Sequence, residues 1–293
     1  MSPEFASRVE YDASMAKRTS WHVGGPADML FTPRDVSDLS AFLNQLPSDV
    51  PVMCIGLGSN LLVRDGGIRG AVISTHGALG ALELQGETRV RAEAGVACGR
   101  IARQCVKWGL GPAEFFAGIP GTLGGALAMN AGAWGGETWN HVVDVDVLDR
   151  SGRRHTRQAA DYDIGYRSVQ GPANEWFVGA QLEFEHKPGV NAQAIRELLD
   201  RRRETQPIGE WSCGSVFTNP PGDHAARLIE SAGLKGYRIG DASVSEKHAN
   251  FIINHGAAHA ADVEALIEHV RRTVAEVHGV ELTTEVRIVG EVA

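Results

Sequence analysis

The sequence lacks several features that would assign it to a common functional class. It has no basic surplus, since 28 Lys and Arg residues stand against 36 Asp and Glu residues, and the net charge is −8. The chain therefore has no excess of positive charge to hold a nucleic-acid backbone or an anionic membrane. It has only four cysteines and no CxxC pair, which argues against a zinc ribbon, a thioredoxin-type site and a disulfide framework. We expect free cysteines that act as small apolar side chains, namely Cys54, Cys98, Cys105 and Cys213.

The sequence also lacks targeting and membrane signals. Its N-terminal segment has no basic region followed by an apolar run, as a secretory signal would, so we expect a cytoplasmic protein without membrane or nucleic-acid partners. One uncharged stretch, residues 117–136, imitates a membrane span. It contains seven glycines and a proline, however, and is a poor candidate for a lipid-facing helix.

Glycine is the residue type in excess. The chain has 35 glycines among 293 residues, whereas a typical content of about 7% would give roughly twenty. The length corresponds to about two domains, and an apolar content of 43% is that of an ordinary folded protein. Surplus glycine in a folded chain indicates backbone packed closely against something, and a large cofactor is one candidate.

Hydrophobic periodicity predicts a β-rich stretch up to about residue 186 and a second region of mixed helices and strands after Pro188. The first predicted helix has Thr32 as its N-cap and Pro33 as its first helical residue. The predicted helices are 32–46, 99–108, 191–205, 225–232 and 261–277. The main predicted strands are 51–57, 88–93, 141–149, 176–185, 250–253 and 282–289.

Two glycine-rich turns are candidates for ligand binding. GLGSN (56–60) follows a strand, but Leu61 stands where the dinucleotide fingerprint needs its third glycine. Its N–H groups could form a nest for a phosphate oxygen, or the segment could be a plain hairpin turn. Residues 117–136 favour a shared, large phosphate-bearing cofactor, with a close-packed turn between strands as the alternative.

The evidence for each candidate catalytic group is weak when that group is considered alone. Ser215 lies in CGSVFTNP, which is not the GxSxG nucleophile elbow, and small residues in a turn would explain it. Glu285 lies in TTEVRIVG, where a surface carboxylate is the simpler interpretation. His255 and His259 are spaced as metal ligands, but HGAAH lacks the glutamate of the zinc-protease motif, so we predict no metal site.

Six segments together are specific. They are GLGSNLLVRDGG (56–67), AGIPGTLGGALAMNAGAWGGE (117–137), GYR (165–167), RRETQPIGEWSCGSVFTNP (202–220), LKGYRIGDASVSEKHANFIIN (234–254) and LTTEVRIVG (282–290). In this order they resemble the UDP-N-acetylenolpyruvoylglucosamine reductase family over nearly the whole chain.

The resemblance implies an α+β fold. Its first part would be an FAD-binding module of the vanillyl-alcohol-oxidase (PCMH) type, over about 23–186, made of two α+β subdomains. The subdomains would be 1–75, to which a C-terminal strand at 286–293 returns, and 76–190. A separate α+β substrate-binding domain would occupy 205–285.

The resemblance also implies a non-covalent FAD site. The GLGSN turn would hold the pyrophosphate through Gly56, Gly58, Ser59 and Asn60, with Leu61 as a further cofactor contact. The second glycine-rich segment would lie along the cofactor, and its contact residues would be Gly118, Ile119, Pro120, Gly121, Thr122, Gly124, Gly125, Ala126, Asn130 and Gly132.

Arg167, Ser215 and Glu285 fall on the family's catalytic positions. The implied reaction is reduction of a UDP-sugar enolpyruvyl ether to UDP-N-acetylmuramate for peptidoglycan, with NADPH as the co-substrate and hydride transfer through FAD. Ser215 would give the proton to C2, while Arg167 and Glu285 would stabilise the substrate carboxylate as negative charge develops on it. The implied substrate contacts are Arg203, Asn219 and Lys235.

Two departures bear on these roles. The short stretch from Arg167 to Ser215 resembles the short-loop (type II) subtype, which lacks the excursion with a substrate-covering tyrosine. The arginine motif usually continues with a serine two residues on, but Val169 stands there. Two alternatives to the reductase remain, a small-alcohol or sugar oxidase on the same FAD module and a non-enzymatic sugar-nucleotide-binding protein. We expect a monomer.

The cofactor attachment yields a first prediction. Neither 56–60 nor 118–133 contains a histidine or cysteine, the usual points of covalent flavin attachment. The pure protein should therefore be yellow, hold about one FAD, and release it when precipitated with acid. Absorbance of the supernatant measures the release, and flavin that stays with the pellet would contradict a non-covalent site.

Overall fold

The computed structural model describes residues 4–293 and confirms the α+β fold. The helices are α1 (Val36–Gln45), α2 (Cys98–Lys107), α3 (Leu123–Met129), α4 (Ala192–Thr205), α5 (Ala225–Ser231) and α6 (Ala260–His278). Short 3-10 helices lie at Ala6–Arg8, Met15–Arg18, Glu114–Gly118, Thr138–His141 and Ala159–Asp161.

The strands are mostly short. In chain order they are β1 (Val9–Ser14), β2 (Pro26–Phe31), β3 (Val52–Ile55), β4 (Leu61–Val63), β5 (Ile68–Ser74), β6 (Leu82–Gln85), β7 (Arg89–Glu93), β8 (Leu110–Gly111), β9 (Gly132–Ala133), β10 (Gly136–Glu137), β11 (Val142–Asp149), β12 (Arg154–Arg157), β13 (Asp163–Gly165), β14 (Ser168–Gln170), β15 (Glu175–Glu183), β16 (Glu185–His186), β17 (Arg238–Ile239), β18 (Ala242–Val244), β19 (Ile252–Asn254) and β20 (Arg287–Val289).

The chain forms two compact units, each built from several segments. The first contains the described residues up to Glu10, Met29–Leu57 and Gly70–Arg201. The second contains Tyr11–Asp28, Gly58–Arg69 and Arg202–Ala293. The predicted 1–75 subdomain begins with three residues that lie outside the described range.

An antiparallel five-stranded sheet of order β12-β11-β15-β7-β6 dominates the first unit. Helix α2 contributes one apolar face to the core beside this sheet, because its buried residues recur at helical spacing: Cys98, Ile101, Ala102, Cys105 and Val106. The helix ends before Gly109, whose φ of +71° suits a left-handed position. The predicted helix at 99–108 and strands at 141–149 and 176–185 are confirmed within one or two residues.

A second core in the first unit lies under α1. Phe31 and Phe42 stack with ring centroids 4.0 Å apart, and Phe5 meets both edge-on. The predicted start of this helix is wrong. Its N-cap is Asp35, whose side chain accepts a hydrogen bond from the N–H of Asp38 at 2.8 Å. A carboxylate three residues before a free amide satisfies the helix end better than the earlier Thr-Pro pair.

Residues 117–136 fold into several short elements rather than one helix. They contain the end of the Glu114–Gly118 3-10 helix, then α3, β9 and the first residue of β10. Among residues 4–293, no helix is both long and apolar enough to cross a bilayer.

The second unit packs α5 and α6 around the three-stranded sheet β17-β18-β19. Loop 64–65 is attached to α6 by charge. The carboxylate of Asp65 accepts hydrogen bonds from the first two N–H groups of α6, at 3.0 and 2.9 Å, and Arg64 forms a forked ion pair with Glu264. Anionic groups are favourable at a helix N-terminus, so these contacts hold β4 against the helix.

The predicted strand at 282–289 is shorter than expected. Only Arg287–Val289 forms β20, which pairs in parallel with β4. The preceding residues bond elsewhere, since Thr218 donates its N–H to Thr283 at 2.9 Å and Glu285 donates its N–H to Val216 at 2.8 Å. The apolar alternation of 282–289 therefore serves two different pairings.

The N-cap of α1 can be tested directly. Asp35→Ala should lower the free energy of unfolding by about 1 kcal/mol, because an N–H of the first turn loses its acceptor. Thr32→Ala is the matched control, since it changes the residue that the sequence pattern favours as the cap. Urea denaturation of both variants provides the comparison, and an equal or larger loss for Thr32→Ala would contradict the assignment.

Candidate functional site

The two predicted cofactor segments of the first unit meet at Gly56. A Cβ placed on Gly56 would lie 2.2 Å from Oγ1 of Thr122, so the turn after β3 approaches the start of α3 as closely as glycine allows. Thr122 is 1% exposed, and within residues 4–293 its Oγ1 has no hydrogen-bond partner. A buried hydroxyl without a protein partner is a group that a ligand oxygen can satisfy. The residues present fit a phosphate-bearing cofactor such as FAD.

Segment 121–124 is anchored by its backbone to the turn that follows β7. Leu123 donates its N–H to Val96 at 2.9 Å, and Gly124 donates its N–H to Ala94 at 2.8 Å. A Cβ on Gly124 would lie 3.0 Å from the Cβ of Ala94. These contacts set the position of α3, and a Cβ at Gly124 would be in tight contact with Ala94.

The glycines of this segment have two different roles. Added Cβ atoms would collide with Ala133 and Trp134 at Gly118, and with the carbonyl of Gly136 at Gly132. At Gly125, which is exposed, a Cβ would meet nothing. Part of the glycine excess therefore serves protein packing, as in the alternative interpretation, while Gly125 leaves the surface of α3 open to a flat ligand.

The other predicted contacts differ in exposure. Ile119, Ala126 and Asn130 are buried, whereas Pro120 is exposed and Gly121 half-buried. Asn130 ends α3 in the left-handed region, with φ +46°. Its side chain donates to Glu137 and to the carbonyl of Gly165, and accepts from the N–H of Trp139. The side chain of Asn130 thus links the end of α3 to Glu137, Trp139 and Gly165.

Arg167 is placed at the tip of the hairpin formed by β13 and β14. Its φ of +55° is unusual for a residue with a long side chain, although two-residue hairpin loops commonly have such values. The guanidinium donates to the carbonyl of Asn130 at 3.3 Å and to that of Gly132 at 2.8 Å. These two bonds fix the guanidinium beside the glycine-rich segment. Three predicted site residues of the first unit are therefore brought together.

In the second unit the remainder of the GLGSN turn leads into a strand. Gly58 has φ +61°, and a Cβ there would lie 2.0 Å from the carbonyl oxygen of Arg18. Leu61 is the first residue of β4. A strand where the dinucleotide fingerprint needs a helix excludes the Rossmann arrangement. Ser59 is half-buried in this turn.

Ser215 and Glu285 lie on adjacent backbone segments of the second unit. Phe217 and Thr284 form an isolated antiparallel bridge, and the N–H of Glu285 donates to the carbonyl of Val216 at 2.8 Å. Both residues are half-buried. Asn60 joins them, because its side chain donates to the carbonyl of Glu285 at 3.0 Å. The structure thus brings together two predicted catalytic residues and one predicted cofactor contact.

Cys213 precedes Ser215 and is not a competing nucleophile. Burial raises the pKa of its thiol to about 12, so the reactive thiolate is scarce at neutral pH. The thiol contacts the carbonyl oxygen of Leu61 at 3.4 Å. All four cysteines are free, and three of them are buried, as the sequence predicts.

Each of the three residues predicted to contact the substrate bonds to a different part of the second unit. Arg203 is exposed in the last turn of α4, where its carbonyl accepts from Lys247. Asn219 accepts the N–H of Ala225 at 3.1 Å, at the start of α5. Lys235 forms an ion pair with Glu230 at 2.7 Å.

Sequence reasoning missed Asn250. It is 3% exposed and forms two hydrogen bonds with the backbone of Phe217. No spacing or composition signal marks it, although it lies in the 234–254 segment that carries the family resemblance.

Comparison with known proteins decides the family. A relative from Alkalilimnicola ehrlichii named UDP-N-acetylenolpyruvoylglucosamine reductase is 62% identical over 94% of this chain and 93% of its own length. The chain belongs to the UDP-N-acetylenolpyruvoylglucosamine reductase family. A relative of the same name from Methylococcus capsulatus is 55% identical over 99% of this chain and 95% of its own.

Family models and a solved structure agree with that assignment. The model described as UDP-N-acetylenolpyruvoylglucosamine reductase, C-terminal domain, matches residues 206–289, and the FAD binding domain model matches 27–157. The crystal structure of UDP-N-acetylenolpyruvylglucosamine reductase from Thermus caldophilus is 33% identical, with a TM-score of 0.81, over 96% of this chain and 97% of that one. This member of the family is an oxidoreductase with an FAD-binding domain. Its membership of the reductase family, and not the FAD-binding domain, separates it from the oxidase and the non-enzymatic binding protein.

The close approach at Gly56 predicts an effect on cofactor affinity. Gly56→Ala should raise the FAD dissociation constant roughly tenfold or more, because the new methyl must displace Thr122 and overpacking of this kind costs about 1–3 kcal/mol. Gly80→Ala is the control, since a Cβ there meets nothing within 4 Å. Flavin fluorescence titration measures both variants, and equal affinities would contradict the fit of FAD to this turn.

Proposed function

We propose that this chain reduces the enolpyruvyl ether of UDP-N-acetylglucosamine to UDP-N-acetylmuramate in peptidoglycan precursor synthesis, consuming NADPH. When bound, non-covalent FAD supplies hydride transfer between NADPH and C3 of the enolpyruvyl group. The observation that supports the proposal is the backbone pairing that sets Ser215 beside Glu285. Their backbone segments are thus neighbours, and the two residues supply a hydroxyl and a carboxyl group to this part of the second unit.

Ser215 is proposed as the proton donor to C2. Addition of hydride at C3 leaves negative charge at C2, delocalised into the substrate carboxylate. Serine is a weak acid, so it acts as a proton donor only toward a strongly basic carbon and in a preorganised setting. The backbone of Val216 and that of Thr218 both form hydrogen bonds with other segments of the second unit. These bonds hold the segment that follows Ser215, which supports such a setting.

Arg167 and Glu285 are proposed to stabilise the charged substrate carboxylate. A guanidinium binds a carboxylate in a fork, and the carbonyls of Asn130 and Gly132 orient that of Arg167. Glu285, held protonated, would donate a hydrogen bond that strengthens as charge develops. Arg203, Asn219 and Lys235 are proposed to contact the rest of the substrate, and no metal is required by these roles.

The cofactor contacts and domain limits are part of the same proposal. Gly56, Thr122 and Gly125 are the contacts that the packing supports best. The parallel pairing of β20 with β4 supports a C-terminal strand that returns to the 1–75 subdomain, with 76–190 as the second subdomain and 205–285 as the substrate domain.

The reaction itself is tested by NADPH oxidation with purified holoenzyme. Consumption should depend strongly on the enolpyruvyl UDP-sugar. Equal rates with and without that compound would contradict the proposed substrate.

The role of Ser215 predicts a separation of the two half-reactions. Ser215→Ala should leave flavin reduction by NADPH nearly unchanged, because that step needs no proton at C2. Flavin reoxidation by the enolpyruvyl substrate should slow by ~10²–10⁴, the usual contribution of general acid catalysis. Ser215→Cys should recover part of the rate. Stopped-flow flavin absorbance measures both steps.

Ser212→Ala is the matched control, since it removes a hydroxyl from the same segment. Both of its half-reactions should keep the wild-type rate. Slow reduction with normal reoxidation in Ser215→Ala would show that the assigned role is wrong, and lower stability alone would indicate that Ser215 only supports a turn.

A further inference from the structure

The side-chain amide of Asn250 pairs with the N–H and the carbonyl of Phe217, as a neighbouring strand would. Its Oδ1 accepts the N–H of Phe217 at 2.9 Å, and its Nδ2 donates to the carbonyl of Phe217 at 2.8 Å. Both bonds are buried, and the residue is 3% exposed. The side chain therefore holds both backbone polar groups of a single residue, two positions after Ser215, and so spans two consecutive peptide units.

The residues on both sides of Phe217 also form backbone hydrogen bonds. Val216 donates its N–H to the carbonyl of Asn250 at 2.9 Å and accepts the N–H of Glu285 at 2.8 Å, and Thr218 donates to Thr283 at 2.9 Å. On the other side of Ser215, Gly214 has φ +74° and open space at its Cβ position. The hydrogen bonds described here lie on the C-terminal side of Ser215, and Asn250 supplies two of them through its buried side chain.

We propose that Asn250 is a positioning residue, which acts through the backbone of residues 215–217 to aim the Ser215 hydroxyl. This inference rests on the proposed role of Ser215 as proton donor. Asn250 supplies neither proton nor charge to the reaction. Its contribution is to keep the hydroxyl within the narrow range of positions from which proton transfer is fast, since a misplacement of about 1 Å costs ~10² in rate.

Asn254, the last residue of β19, provides a matched control four residues further along the chain. It is 4% exposed, and its side chain donates to the carbonyl of Trp21 at 2.7 Å and accepts the N–H groups of Gly256 and Ala258. None of these bonds involves 215–217. Loss of the Asn254 amide should therefore destabilise the protein to a similar degree without moving Ser215.

The experiment compares Asn250→Asp with Asn254→Asp as FAD holoenzymes. Each change replaces an amide donor by an oxygen, which leaves a buried carbonyl facing an oxygen. Asn250→Asp should slow flavin reoxidation by the enolpyruvyl substrate ~10²-fold and leave reduction by NADPH unchanged. It should also raise the solvent deuterium isotope effect on reoxidation, because proton donation becomes slower. Asn254→Asp should change none of these. Asn250→Ser and Asn254→Ser repeat the comparison without a buried charge if either Asp variant fails to fold.

A double-mutant cycle shows whether Asn250 acts through Ser215. In the Ser215→Ala background, Asn250→Asp should slow reoxidation no further, since the hydroxyl that it positions is absent. Additive effects, or equal behaviour of the Asn250 and Asn254 variants, would overturn the positioning role while leaving the proposed function intact. If Ser215→Ala alone reoxidises at the wild-type rate, the proposed role of Ser215 as proton donor fails and the positioning role fails with it, whereas NADPH consumption that does not depend on the enolpyruvyl UDP-sugar would contradict the proposed function itself.

Discussion

Close contact between backbone segments is the constraint on which the first unit's candidate site depends. At Gly56 a side chain of any kind would occupy the place of the Thr122 hydroxyl, and at Gly118 and Gly132 it would enter neighbouring protein atoms. Because these positions admit no Cβ, the turn after β3 and the segment before α3 can lie together. The glycine excess of the sequence is therefore the physical condition for assembling this surface, and only some of the glycines remain for a ligand.

In the second unit, the backbone segments of Ser215 and Glu285 lie side by side although both are irregular. Neither Ser215 nor Glu285 belongs to a regular strand. Their segments are fixed by the bridge between Phe217 and Thr284 and by two side-chain amides, Asn60 and Asn250. Buried amides that pair with backbone make such segments rigid without a sheet, and the proposed proton transfer from Ser215 would require such rigidity.

Much of the local structure could be predicted from the sequence. Apolar alternation located β11 and β15, and helical spacing located α2, α5 and α6, because these patterns reflect burial of one face. The predicted boundaries of helices and strands were wrong where another hydrogen-bonding group lay nearby. Asp35 rather than Thr32 caps α1, since its carboxylate reaches the free amide of Asp38. The residues before Arg287 are not part of the expected strand, because the N–H of Glu285 bonds to the carbonyl of Val216 instead.

The sequence by itself determined the α+β class, the family through six ordered segments, and the residue types of the site. Tertiary structure alone decided which of those residues meet. Asn130 proved to be a support for its surroundings, and the pairing of Glu285 with Val216 placed it beside Ser215. Asn250 became visible only through its contacts with Phe217. The physical reason is that hydrogen bonds between residues far apart in the chain depend on the positions of backbone segments, and composition, periodicity and motif spacing contain no record of those positions.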